Sequence, residues 1–185
     1  MPSTHSINHD ITQLLHLDHQ KVRDLFFQFS AAEKESEKNS LVKEILTELY
    51  IHATVEEKIV YPAVEKKAED GDELVGEAEN EHRVVKFMMA ELSKMKAGDD
   101  QFDSKVTVLC ELVDHHAREE EKEMFEKLRD SSADLNKLAQ EVEAMKAELK
   151  AQPLPQMNAT LEIGPEAPEP KKLKPTSAKT NRKSA

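Results

Sequence analysis

The residues of this chain best suited to chemistry are histidines and glutamates that interrupt the apolar stripes of predicted helices. Along four segments, apolar residues recur at steps of three and four, the pattern of one buried helix face. Near the middle of each stripe a histidine breaks the apolar series, and on the second and fourth segments a glutamate comes one turn later. The candidate site residues are His19, His52, Glu56, His82, His116 and Glu120.

Two of these histidines form H-x-x-x-E pairs, His52 with Glu56 and His116 with Glu120. Residues at positions i and i+4 lie on one helix face, about 5–6 Å apart at Cβ, so each pair directs two ligand atoms to one place. Buried unpaired carboxylates are costly and repel each other, whereas cations between them remove both penalties. Imidazole and carboxylate suit iron, manganese or zinc, and six ligands exceed the need of one tetrahedral zinc. The pattern therefore predicts a pair of metal ions in the core.

Several nearby residues compete for a role in this predicted site. A lone histidine on an apolar face is more often a hydrogen-bonded core residue than a ligand, so the prediction depends on the register shared by all four helices. Glu79, one turn before His82, and Glu121, directly after Glu120, remain open as alternative ligands. Four more residues are expected outside the ligand set, the last of them close to it: His16, Glu57, His115 and Tyr61.

The elements that must position these side chains are four long helices. The apolar periodicity predicts helices over residues 8–32, 39–67, 72–97 and 102–129. Polar stretches rich in Ser, Asp and Gly separate them. Because short connections make consecutive helices antiparallel neighbours, the sequence predicts an all-α, up-down-up-down four-helix bundle over residues 1–130.

Two further segments come after the predicted bundle. Residues 131–150 predict an additional helix docked outside it, because their apolar residues form one stripe, and Ser131 and Asp134 have capping-box spacing. Residues 151–185 hold six prolines and three more positive than negative charges. This composition predicts a disordered C-terminal tail whose basic charge offers a surface to a protein partner.

Composition and charge limit the function classes that fit. The net charge is −11, and because the tail is positive, residues 1–150 carry −14. Such an acidic body argues against nucleic acid as a ligand of the bundle and is compatible with cations. Cys110 is the single cysteine, so no internal disulfide is expected. No apolar run approaches the roughly 20 residues of a membrane span and the N-terminus has no secretory core, so we expect a cytoplasmic protein.

Taken together, the motifs resemble those of the hemerythrin HHE cation-binding domain. The matching stretches, within about residues 8–130, are Asp18-His19, His52-x-x-x-Glu56-Glu57 running into Tyr61-Pro62, Glu81-His82, and His116-x-x-x-Glu120-Glu121 running into Phe125. The resemblance implies a bundle with a non-haem di-iron centre, rather than manganese or zinc. Its implied ligands are His19, His52, Glu56, His82, His116 and Glu120.

The resemblance also narrows the expected function. Oxygen-carrying hemerythrins place a second histidine one turn after the helix-three histidine, where this chain has Lys86. The chain is thus similar to the H, HxxxE, H, HxxxE branch, which implies binding or sensing of dioxygen, peroxide, nitric oxide or iron. Catalase-like or peroxidase-like turnover stays open. The rival hypotheses are a ferritin-type di-iron oxidase or iron store, which needs E-x-x-H on two helices, and a helical interaction scaffold.

Overall fold

A computed structural model describes residues 9–157, and all regular secondary structure in that range is helical. The two longer bundle helices are each divided by one turn of π-helix, at Glu56–Val60 and at Glu120–Met124. The predicted all-α four-helix bundle with an extra helix is confirmed. The α-helices are α1 (Ile11–Ala31), α2 (Glu35–Val55), α3 (Tyr61–Lys67), α4 (Gly71–Leu92), α5 (Phe102–Glu119), α6 (Phe125–Asp130) and α7 (Leu135–Lys150).

Local sequence explains where the helices begin and turn. Asp10 caps α1, because its carboxylate accepts the backbone N–H groups of Thr12 at 2.9 Å and Gln13 at 3.0 Å. Between α3 and α4 the chain turns at Asp70, whose φ of 58° lies in the left-handed region. The next residue must be glycine, since a Cβ atom on Gly71 would lie 2.4 Å from the carbonyl oxygen of Val64.

The two π-helical turns are a departure from the uninterrupted helices that the sequence predicts. Each begins at the glutamate of an H-x-x-x-E pair. Each is closed by a backbone hydrogen bond between residues five apart: Tyr61 N–H donates to the Glu56 carbonyl, and Phe125 N–H donates to the Glu120 carbonyl. A π turn inserts one residue into the helix and rotates the turns that come after it. After each π turn, Tyr61 and Phe125 are buried in the core, as are the residues directly before them, Val60 and Met124.

The core consists of two apolar clusters separated by a polar layer. One cluster lies near the α1–α2 and α4–α5 connections and includes Phe26, Phe29 and Phe102. The other includes Leu15 and Tyr61 and extends under α7. The six candidate histidines and glutamates belong to neither cluster and fill the level between them.

The second helix pair repeats the first along the chain. Asp18-His19 on α1 corresponds to Glu81-His82 on α4, and the H-x-x-x-E-E motif of α2 recurs on α5, 63 or 64 residues later in each case. Both copies end in a π-helical turn at the same position of the motif. The site is therefore built from two related helix pairs.

Helix α7 packs against α1 and α2 and buries its apolar stripe there. Its N-cap is Asp134, which accepts the N–H of Lys137 at 3.0 Å, so the capping box expected from Ser131 does not form. After α7, Leu154 and Met157 pack against the apolar cluster that includes Phe26, Phe29 and Phe102. Residues 158–185, most of the predicted disordered tail, lie outside the described range, and the proposed division of the chain at residues 130 and 150 stays a prediction. None of the described helices combines the length and apolar character that crossing a bilayer demands.

Candidate metal centre

The structure brings all six predicted site residues together in the polar layer. Their exposed fractions run from 0% for Glu56 to 7% for His52. The imidazoles form two couples: Nε2 of His19 lies 3.1 Å from Nε2 of His52, and Nε2 of His82 lies 3.1 Å from Nε2 of His116. We refer to these couples as the His19/His52 half and the His82/His116 half.

The two buried glutamates each reach both halves of the site. Glu56 places Oε1 3.0 Å from Nε2 of His52 and Oε2 3.4 Å from Nε2 of His82. Glu120 places Oε2 3.4 Å from Nε2 of His19 and 3.6 Å from Nε2 of His116. Each carboxylate thus lies between the two imidazole couples, the arrangement that two neighbouring cations require of shared ligands.

The outer nitrogen of every imidazole is held by a carboxylate from another helix. The pairs, measured from histidine Nδ1 to carboxylate oxygen, are His52 with Asp18 at 3.4 Å, His82 with Glu57 at 2.9 Å, His116 with Glu81 at 2.6 Å and His19 with Glu121 at 2.8 Å. Each bundle helix supplies the carboxylate for the histidine of the next helix, and the fourth supplies the first. An Nδ1–H bonded outwards leaves the Nε2 lone pair directed inwards, as in histidines that bind metals.

The alternative ligands left open by the sequence take other positions. Glu79 is exposed and lies outside the cluster. Glu121 contacts His19 from outside, and Arg23 donates to the same carboxylate oxygen at 3.0 Å. Glu57, expected to face outwards, instead accepts from His82, because the helix that carries it lies beside α4.

Four outer carboxylates were missed as a set by sequence reasoning, although a signal for them was present. Asp18 and Glu81 directly precede a site histidine, and Glu57 and Glu121 directly follow a site glutamate. Each of them contacts the histidine of a neighbouring helix rather than its own. The half-exposed His16 and His115 also lie outside the buried set, as expected, at 3.2 Å from Glu121 and 3.4 Å from Glu81 respectively.

The two halves differ in the aromatic residue that covers them. Tyr61 lies beside the His82/His116 half, where its hydroxyl donates to Oε1 of Glu120 at 3.1 Å and lies 3.2 Å from Nε2 of His82. At the equivalent position Phe125 stacks on the ring of His19, with centroids 5.9 Å apart. The prediction that Tyr61 lies close to the site is thereby confirmed, and the hydroxyl makes the two halves chemically unequal.

The electrostatics of the cluster are unbalanced without a cation. Burial opposes protonation of His19, but the neighbouring carboxylates of Glu120 and Glu121 outweigh it and raise the pKa of His19 to about 9. Burial lowers the pKa of His52 to about 4. Burial and the neighbouring Glu120 raise the pKa of Glu56 well above its usual range. Although burial acts in the same direction on Glu120, the adjacent imidazoles outweigh it and lower the pKa of Glu120. The cluster therefore retains protons where cations would balance the charge.

The donor set fits metal cations on three independent observations. Inward-facing imidazole nitrogens approach each other in both halves. Three buried carboxylate oxygens, both of Glu56 and Oε2 of Glu120, have no hydrogen-bond partner. The ligand atoms group within 4.8 Å of one another, as His19, His52, Glu56 and Glu120, and as Glu56, His82 and His116. Unpartnered buried carboxylates are costly, and a cation among them satisfies oxygen and nitrogen lone pairs together.

Fold and site together define a helical-bundle protein of the cation-binding class. Residues 10–128 match the family model described as the Hemerythrin HHE cation binding domain. Since this match covers more than half of the chain, the chain belongs to that family, as its motifs predict.

Similar proteins agree with this assignment. A Nostoc sp. protein named DNA nickase is 26% identical over 143 residues, which make up 76% of this chain and 40% of the relative. An uncharacterized hemerythrin-like protein of Schizosaccharomyces pombe is 30% identical over 112 residues, 60% of this chain and 55% of the relative. A crystal structure of a hemerythrin HHE cation binding domain-containing protein from Mycobacterium kansasii has a TM-score of 0.67 and 23% identity, covering 77% of this chain and 88% of that one. The chain spans about half the length of the curated relatives it matches, and the structural likeness supports the fold alone.

Proposed function

We propose that the chain binds two iron ions through His19, His52, Glu56, His82, His116 and Glu120, and that the iron pair binds or senses dioxygen, peroxide or nitric oxide. The observation that carries the proposal is the set of three buried carboxylate oxygens without partners among inward-facing imidazoles. Two irons supply coordination positions for a small oxidant and electrons to reduce it. Manganese and zinc suit the same donors, and family membership favours iron over both.

The residues of this chain hold the pair and control its surroundings. In each half, the two imidazoles provide neutral nitrogen donors whose orientation is fixed by outer carboxylates. Glu56 and Glu120 bring two negative charges into contact with both halves. The apolar clusters on either side of the layer exclude water, which strengthens these interactions.

Access for a small neutral ligand is offered by a groove between α1 and α5. The groove has a volume of about 360 Å³, is lined largely by apolar side chains that include Phe26, Phe27 and Val113, and reaches His19 at its base. Dioxygen and nitric oxide partition readily into such surroundings. The apolar lining of the groove is thus compatible with a small neutral ligand.

The rival hypotheses find less support in the same observations. A ferritin-type site needs E-x-x-H on two helices, yet the candidate glutamate for it, Glu79, is exposed. A scaffold gains nothing from buried carboxylates without partners. A role on DNA, suggested by the name of the Nostoc relative, fits poorly with the charge of −14 over residues 1–150.

The decisive experiment is metal analysis of the freshly purified full chain, together with optical spectra before and after exposure to dioxygen and hydrogen peroxide. We expect two irons per chain and absorption changes on exposure to one of these oxidants. One zinc per chain with an unchanging spectrum contradicts the proposal. Replacing His52 or His116 by Ala should remove iron while helical content persists. If the chain were an interaction scaffold, its partner binding would be unchanged in these variants.

A further inference from the structure

A narrow acidic cleft between α4 and α5 leads from the surface to the His82/His116 half. His116 and Glu120 form its base. Its walls carry four glutamates in two pairs, each pair one helical turn apart: Glu77, Glu81, Glu119 and Glu123. His115 lies beside the cleft and contacts two of its wall residues, with Nε2 3.4 Å from Oε1 of Glu81 and 3.4 Å from Oε1 of Glu119. The ligand atoms of these three residues all lie within 4.8 Å of one another.

The base of the cleft contains a buried carboxylate oxygen of the core centre. Glu120 is only 2% exposed, and its Oε2 has no hydrogen-bond partner. The same residue lines the cleft, together with the partly exposed Glu119 and three further glutamates.

Among the described residues, the first helix pair has no acidic cleft at the equivalent face. The positions that correspond to the four glutamates carry, in the same order, Leu14, Asp18, Val55 and Ile59. Three of these are apolar and belong to or pack against the apolar cluster that extends under α7, and the carboxylate of Asp18 is paired with Lys146 of α7. One face of the centre is therefore closed by a helix, and its counterpart is open and acidic.

We propose that this acidic cleft is the route by which divalent metal cations reach the core, with Glu81, His115 and Glu119 binding the incoming cation at its mouth. One imidazole and two carboxylates suit Fe²⁺, Mn²⁺ and Zn²⁺. Clefts lined by one sign of charge raise the local concentration and the association rate of counter-ions by about 10–10³-fold. Glu81 links mouth and core directly, since Oε1 faces His115 while Oε2 accepts Nδ1–H of His116 at 2.6 Å.

Delivery to the core depends on the proposed di-iron function, whereas cation binding at the mouth does not. The first experiment measures the rate at which the metal-free full chain takes up Co²⁺, followed by its absorption in a stopped-flow instrument. The double variant His115→Gln/Glu119→Gln should load about tenfold more slowly and reach the same final metal content. The control is Glu143→Gln/Glu148→Gln on the exposed face of α7, which removes two negative charges, one more than the cleft variant. A wild-type rate in the cleft variant, or an equal loss in the control, overturns the route.

The second experiment separates failure of this inference from failure of the proposed function. Mn²⁺ is added to the full chain, and paramagnetic broadening of backbone amide signals is measured. Signals of Glu81, His115 and Glu119 should broaden at the lowest Mn²⁺ concentrations, and the cleft variant should lose that preference. If the core takes up no metal, this broadening persists; if broadening is spread evenly over the acidic surface, the mouth site is refuted.

Discussion

Tyr61 and Phe125 occupy equivalent positions, five residues after Glu56 and Glu120, but only Tyr61 brings a hydroxyl to the centre. That hydroxyl donates to the buried carboxylate of Glu120 and lies beside Nε2 of His82. The π-helical turns place both rings against the layer, so one substitution between the two copies suffices to make the halves unequal. The Tyr61 hydroxyl lies beside an imidazole of the His82/His116 half, whereas the equivalent Phe125 offers only an apolar ring to His19.

Replacing Tyr61 by Phe should therefore destabilise the metal-free protein by about 1.5–3 kcal/mol, the contribution of a hydrogen bond to a charged buried group. Urea denaturation measures this loss. Tyr50→Phe is the matched control, because Tyr50 is only half-buried beside the apolar cluster that includes Phe29 and Phe102. This substitution should change the free energy of unfolding by no more than about 0.5 kcal/mol. Equal effects of both substitutions would show that the Glu120 contact contributes nothing specific.

The outer carboxylates should control metal affinity without touching the metal. Glu81→Gln weakens the hydrogen bond that orients His116, and losses of this kind cost about 10–100-fold in metal affinity. Competition with a chelator of known affinity measures the change. Glu79→Gln, two residues away and exposed, is the control and should leave affinity unchanged. The reverse ranking would mean that Glu79 enters the ligand set.

Helix α7 should influence the metal centre although it lies beyond the matched residues 10–128. The ammonium of Lys146 contacts Asp18, the carboxylate that accepts from Nδ1 of His52. Lys146→Met keeps the apolar stem and removes this charge, so we expect about 10–100-fold weaker metal binding in the His19/His52 half. Lys137→Met on the exposed side of the same helix is the control. Unchanged affinity in both variants would limit α7 to packing.

Metal binding should release protons near neutral pH. The pKa of His19 is raised to about 9, so this imidazole holds a proton in the metal-free protein at pH 7, and burial raises the pKa of Glu56 in the same direction. A ligand must lose its proton to bind a cation, so affinity should rise between pH 6.5 and 9. A pH-indicator dye should record release of at least one proton per chain at pH 7, and no release would contradict the assignment.

The same shift fixes how the stability of the metal-free protein depends on pH. The raised pKa of His19 contributes stability that is complete below pH 6.5 and is lost as pH rises through about 9. His52, with its pKa lowered to about 4, does not titrate in that window. The free energy of unfolding, measured in urea without metal, should therefore fall between pH 6.5 and 9. A rise over that interval would refute the protonated state of His19.

Glu56 should lower the stability of the metal-free protein and be needed for metal binding. Both of its carboxylate oxygens are buried without partners, and leaving such groups unsatisfied costs about 1–3 kcal/mol. Glu56→Met keeps similar length and removes both oxygens, so the metal-free variant should be more stable by an amount of that order while its metal content falls. Denaturation and metal analysis of the same preparations test the two effects together. Loss of stability in the variant would show that the carboxylate is satisfied in the native protein.

The bundle and the candidate donors could be predicted from the amino-acid sequence alone. Apolar periodicity identifies buried helix faces because burial selects residues at steps of three and four, and a histidine at such a position must lie inside. The register of His19, His52, His82 and His116 could therefore be read without coordinates. The H-x-x-x-E spacing likewise fixed which glutamates share a face with a histidine.

The pairing of each carboxylate with its imidazole could be learned only from the folded arrangement of the helices. Glu57 and Glu121 stand next to site glutamates in the sequence, but their partners, His82 and His19, belong to other helices. The two π-helical turns and the seating of Lys146 on Asp18 were equally hidden, because they depend on contacts between segments far apart in the chain. Apolar periodicity shows which face of each helix is buried. Hydrogen-bond partners depend in addition on how each helix is rotated and shifted along its axis relative to its neighbour.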